Sequence, residues 1–384
     1  MKVPAWSTSR VILVFASLTC SFVPVAFGQK DSSPSIPRYF SRSPTVAPLK
    51  SAEIEKIMQD SLSGATIPLW TYKIVSLVDN KTYSGVIVGR SPFAHGHRTT
   101  TIQAFLIPVK LTFKDTGITF DPSTDACTSG DTILNLTQNS PLFQNAVFDI
   151  NGIDVGFTQY IDKFQRANFW ANVGGTSYHT LLSITTLASQ PVTVAVGNGT
   201  STNINGPCNS HGQINFGWLD SEVQTLISSL LEQGVTPTTF PIILLENTVL
   251  CDPSCQIGGY HSSFSNPMQT YTVSDFETSG SNVSILSHEI GEWMDDPTGG
   301  NQTPNWGHTG QVTGCQSNLE VADPLTGTLF PAVTMPNGFT YNMQELAFFS
   351  WFFSQSPSIA ANGKYSDNGT FAGYAKPCPP GGTN

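Results

Sequence analysis

Residues 284–297 read S-I-L-S-H-E-I-G-E-W-M-D-D-P, and within them His288, Glu289 and Glu292 form an H-E-x-x-E group. On an α-helix with 3.6 residues per turn, His288 and Glu292 stand one turn apart on the same face. An imidazole nitrogen and a carboxylate oxygen can there share one cation. Glu289, beside His288, can then reach a water on that cation and take its proton. The plain alternative is a solvated helix with an i,i+4 polar pair, because H-E-x-x-E also arises by chance.

The helix is expected to stop near Asp295, since Pro297 disfavours helical backbone at Asp296. Asp296 is about 12 Å along the axis from His288 at about 1.5 Å per residue. It therefore reads as a turn-forming or supporting residue rather than a ligand. A further ligand must come from beyond the helix, and the candidates are His308 in N-W-G-H-T-G and Glu320 and Asp323 in N-L-E-V-A-D-P. One helical turn would show Glu320 and Asp323 to a single point. His308 equally reads as an exposed loop histidine.

Several elements must position these groups. Leu219 to Gln233 is predicted as an amphipathic helix with Val223, Leu226, Ile227 and Leu230 on one face and Gly234 as its stop. A buried strand from Phe240 to Val249 follows, then a Cys-flanked turn and strands at Gly258 to Phe264 and Gln269 to Phe276. The H-E helix comes next, with Ser281 or Asn282 as its cap. Upstream, Leu69 to Leu77 and Thr82 to Val88 read as an N-terminal hairpin. Thr99 to Phe113 reads as a strand interrupted at Pro108. Helical patterns run from Thr132 to Val147 and from Phe157 to Trp170, and His179 to Val196 alternates like strands. Met343 to Phe353 is predicted as an aromatic core helix. The class is α+β.

Lys2 and Arg10 precede an apolar run from Val11 to Phe27, with small residues around Gly28, which reads as a secretory signal over 1–28. Cys20 after Leu18-Thr19 only loosely resembles a lipoprotein processing site. Losing 1–28 removes two cations and no acid, so the net charge of −10 becomes −12. So acidic a chain lacks the basic stripe that nucleic-acid binding needs, and no stable membrane association is expected. Cys127, Cys208, Cys251, Cys255, Cys315 and Cys378 remain, an even set that suits up to three disulfides in an exported chain. A cysteine zinc site is the weaker reading, because Cys251 and Cys255 are the only close pair. Residues 29–65 are Pro- and Ser-rich, with one short helix from Ala52 to Ser61, and read as a leader, linker or pro-segment. Residues 66–384 read as a single domain.

Helix, strand, edge strand, strand and motif helix resembles the upper subdomain of zincin metallopeptidases. Their H-E-x-x-H helix holds zinc through two residues and uses the intervening glutamate as base. G-G-Y-H-S-S-F, S-H-E-I-G-E-W-M-D-D-P and L-E-V-A-D, spanning about residues 240–325, also resemble the Exordium (phosphate-induced) proteins of plants and related secreted bacterial proteins. The resemblance implies a zincin-like architecture: a mixed twisted sheet with a backing helix and a metal helix. It implies one zinc ion on His288, Glu292 and Glu320, with Asp323 supporting the metal-bound histidine. Glu289 would be the general base and His261, in G-Y-H, would stabilise an oxyanion or simply pack beside a strand. The expected substrate is an extracellular protein or peptide. A non-catalytic binding protein for extracellular glycan with a structural metal is the alternative. A glycosidase using two of Asp295, Asp296, Glu320 and Asp323 is a third.

Overall fold

A computed structural model of the chain describes residues 40–41, 47–150 and 152–379. The predicted signal over 1–28 and residues 29–39 and 42–46 of the leader lie outside the described residues. The strand Phe240–Glu246 is buried at every position, as a parallel strand covered on both faces must be. It pairs in parallel with Thr99–Phe113 on one side and with Gln269–Phe276 on the other.

Thr99–Phe113 is one uninterrupted strand. Pro108 does not break it, because it stands where the partner on one side changes. His179–Thr186 ends opposite Leu106, and Gln190–Val194 begins opposite Val109. A residue without an N–H is tolerated at such a gap. Cys255–Phe264 runs antiparallel to Gln269–Phe276. It was expected to be a free edge, but Thr248–Cys251 pairs with its start and Phe40–Ser41 pairs in parallel at Ile257 and Gly259.

Successive side chains of the central strand alternate between two cores. Ile243 and Leu245 pack with Leu219, Val223 and Ile227 of the helix Phe216–Ser229. Ile242 and Leu244 pack with Leu286, Ile290 and Trp293 of the helix Ser284–Asp295. A mixed sheet thus lies between a backing helix and the motif helix in an α+β fold. The expected N-terminal hairpin forms, with Leu69–Val75 antiparallel to Thr82–Val88.

Two expected helices are corrected. Thr132 to Val147 is helical only over Ile133–Gln138, and Ala146–Ile150 with Ile153–Thr158 makes a hairpin before the helix Tyr160–Asn168. Asn151-Gly152 between the strands is the sequence signal for that turn. In Met343 to Phe353, only Phe349–Phe353 is helical, although the whole segment is buried apart from a half-buried Ser350. Among the described residues no helix is long and apolar enough to cross a membrane.

The six cysteines form Cys127–Cys208, Cys251–Cys255 and Cys315–Cys378. Denatured without reductant, a chain of residues 29–384 should therefore show no titratable thiol; several would contradict these pairings. Reduction of Cys127–Cys208, which spans 81 residues, should cost the most, about 4 kcal/mol by loop-closure entropy.

Candidate metal centre

Every residue of Ser284–Asp295 is buried, and three contacts set the helix against the sheet. Trp293 stacks on Phe240 with centroids 3.6 Å apart, and its Nε1 donates to Thr270 Oγ1 at 2.9 Å. Gly259 lets the helix approach, because a Cβ there would lie 2.7 Å from Ile285 Cγ2 and 2.9 Å from Glu289 Oε1. Beyond the C-terminus, Asn301 Nδ2 donates to Asp295 O and to Val86 O, which ties the helix end to the N-terminal hairpin.

This placement gathers two imidazoles and four carboxylates. His288 Nε2 lies 3.1 Å from Glu292 Oε1 and 3.4 Å from Asp323 Oδ1. His261 Nδ1 lies 3.6 Å from Glu289 Oε2 and 3.7 Å from Glu292 Oε2. Glu320 Oε2 lies 3.9 Å from the other nitrogen of His261. All six residues are at most 2% exposed.

Hydrogen bonds decide which nitrogen of each imidazole carries its proton. Gln344 Nε2 donates to Ala322 O, so its Oε1 is left to accept from His288 Nδ1 at 3.0 Å. The neutral ring then turns the Nε2 lone pair toward Glu292 and Asp323. His261 Nε2 lies 3.0 Å from the carbonyl of Asp296, an acceptor only, so its Nδ1 lone pair faces Glu289 and Glu292. His261 Nδ1 is buried without a hydrogen-bond partner, and His288 Nε2 and the carboxyl groups of Glu292, Glu320 and Asp323 crowd against one another beside it. Lone pairs and carboxylate oxygens so arranged repel unless a cation or proton lies between them.

The donor spacing fits a cation. Bonds of about 2.0–2.1 Å to nitrogen and oxygen in tetrahedral geometry put neighbouring donors about 3.3 Å apart. The distances of 3.1 and 3.4 Å around His288 bracket that value. The electrostatics agree. Burial alone would lower the His288 pKa, but Glu292 and Asp323 overcome it and hold the imidazole well above its ordinary value, so without metal a proton takes the place. Burial holds His261 below its usual range, and raises Glu292 and Glu320.

Asp323, not Glu320, completes the group with His288 and Glu292. Residues 319–322 do not form the helical turn that would aim both carboxylates at one point; the turn begins only at Asp323. The N–H groups of Ala322 and Asp323 donate to Glu292 Oε1, docking the loop on the motif helix. Gln311 and Gln316 hold the Asp323 carboxylate. Glu320 accepts from Asn318, lies 3.9 Å from His261 Nε2 and abuts Glu292 rather than His288.

His308 does not join the cluster. It is exposed on the hairpin Gln302–Asn318 and groups instead with Cys315 and Cys378, whose sulfurs are spent in a disulfide. Asp296 supports His261 through its carbonyl, and its carboxylate accepts from Asn301 N and Thr298 Oγ1. Sequence reasoning missed Gln344, which contacts His288 across 56 residues of chain and lies in a segment read as a helix.

Two predictions follow from this geometry. Gln344→Leu should weaken zinc binding by about 10–100-fold, the usual effect of losing a residue that orients a ligating histidine; unchanged affinity in isothermal titration would contradict that role. Burial pushes Asp295 and Asp296 up to about 7. Acids raised on folding stabilise the folded state at low pH, and that contribution is lost as pH rises from about 4 to 7. The raised His288 contribution is likewise lost as pH climbs through its folded value. The metal-free protein should thus melt lower at about pH 8 than at about pH 5.5, and the zinc-induced rise in Tm should be larger at the higher pH, where protons no longer compete. An equal zinc effect at both would overturn the assignment.

Compared with protein-family models, with curated proteins and with solved structures, the chain matches none.

Proposed function

We propose that this chain is an exported zinc-dependent hydrolase acting on amide bonds of an extracellular protein or peptide. His288, Glu292 and Asp323 would hold the cation. The observation that carries the reading is the pair of imidazole lone pairs turned by Gln344 and Asp296 toward buried carboxylates. A zinc ion so held supplies Lewis acidity and lowers the pKa of water to about 7.

The protein's own groups do the rest. Glu292 and Asp323 neutralise charge and, with Gln344, fix the orientation of His288. Glu289, next to His288 in the helix and 3.6 Å from His261, takes a proton from water on Oε2 and returns it to the leaving amine. The order of helix, strands and motif helix, which resembles the upper subdomain of zincins, suits this chemistry; the Exordium resemblance bears on export and the candidate ligands rather than on hydrolysis. Three disulfides suit export.

One observation favours a second reading. The cluster is closed, with no member more than 2% exposed, and the leader strand Phe40–Ser41 occupies the edge of Cys255–Phe264 next to it. A structural cation in a non-catalytic binding protein would look the same. On the hydrolase reading, this leader must leave before an extended substrate can pair there.

Glu289→Gln separates the two. It keeps the side chain's size and leaves the cation at His288 in place, yet hydrolysis of an unstructured protein such as casein should fall by about two to four orders of magnitude. Zinc-loaded wild type that cleaves nothing across a broad peptide library would favour the structural cation. Equal cleavage by the variant would remove Glu289 from the chemistry.

A further inference from the structure

His261 is unexplained by a single cation. It projects from the sheet rather than the motif helix, is wholly buried, and its Nδ1 makes no hydrogen bond. That nitrogen faces Glu289 Oε2 at 3.6 Å and Glu292 Oε2 at 3.7 Å, and these three donors form a group of their own. The second group, His288, Glu292 and Asp323, uses the other oxygen of Glu292.

We infer that the centre holds two divalent cations bridged by Glu292, the second on His261 Nδ1, Glu289 Oε2 and Glu292 Oε2. The inference rests on the reading of the first cation at His288. Three observations support it. The donor spacings of 3.6 and 3.7 Å are slightly wider than the roughly 3.3 Å edge of a tetrahedral zinc site, a small closure on binding. Both histidines are set up alike, each with its outer nitrogen donating to an oxygen that can only accept, as ligating histidines are. Charge is consistent with a second cation. Glu289, Glu292 and Asp323, the carboxylates the two groups use, carry three negative charges when ionised, more than one divalent cation matches. Buried carboxylates are tolerated when metals neutralise them.

The second cation adds to the role of Glu289. With its Oε2 directed at that cation, Glu289 would be held by it while still taking the water's proton and returning it to the leaving amine, and the second cation would lower the water's pKa further. The loss of hydrolysis in Glu289→Gln would then combine loss of the base with loss of the second cation.

The test is metal stoichiometry of the purified full chain, loaded with zinc, dialysed and measured by elemental analysis and native mass spectrometry. Wild type should hold two zinc ions, with His261→Ala and Glu289→Gln holding one, retained on His288. One ion in wild type, unaffected by His261→Ala, overturns the second site and leaves the first reading standing. No ion overturns both. Two ions retained in His261→Ala also overturn the inference. Because His261→Ala removes a buried side chain and can fail to fold, the manganese-loaded wild type gives a readout without any variant. Two ions sharing Glu292 should give an exchange-coupled electron paramagnetic resonance spectrum, and an isolated-ion spectrum that simply doubles with the second equivalent contradicts a shared bridge.

Discussion

The constraint on which this structure turns is the burial of four carboxylates beside two imidazoles whose proton positions are already decided. An isolated carboxylate in a low-dielectric interior costs several kcal/mol after relaxation, so such a cluster persists only when something positive enters it. In the metal-free chain the proton does so: His288 is held well above its ordinary pKa by Glu292 and Asp323, and burial raises the carboxyls of Glu292 and Glu320. On the reading proposed here a divalent cation would take the proton's place, with the His288 lone pair turned toward Glu292 and Asp323 and the His261 lone pair toward Glu289 and Glu292.

The rest of the fold follows from holding that cluster together. Phe240 and Trp293 clamp the motif helix to the sheet, Gly259 lets it come close enough for Glu289 to meet His261, and Asn301 secures its end. The loop carrying Asp323 docks through two backbone N–H groups on Glu292 itself, so the carboxylate beside His288 also serves as the loop's anchor. That coupling makes the centre a candidate keystone for residues far apart in sequence, from Gly259 to Gln344.

Much of this was legible in the residues, and the boundary between legible and illegible has a physical cause. Periodicity fixes what lies on one helix, so the His288 and Glu292 pair, the stop near Asp295 and the backing helix could be read directly. Loops carry no such periodicity. An assumed helical turn showed Glu320 and Asp323 to one point and the resemblance made Glu320 the ligand and Asp323 its support, but the real backbone sets Asp323 3.4 Å from His288 and Glu320 3.9 Å from His261. Gln344 was invisible because its contact is long-range and its segment, rich in Phe and Trp, mimics a helix although only Phe349–Phe353 is helical. The hairpin at 146–158 was overridden by an apolar pattern despite the Asn151-Gly152 signal. The free edge expected of Cys255–Phe264 was lost to Phe40–Ser41, a pairing between segments more than 200 residues apart that no local pattern announces.

The most direct test of the central claim is an anomalous difference map from crystals of the zinc-loaded protein, collected on either side of the zinc absorption edge. A peak bonded to His288 Nε2, Glu292 Oε1 and Asp323 Oδ1 is the result expected here. A map with no zinc peak inside the cluster, or with zinc only at exposed histidines such as His308, would contradict it.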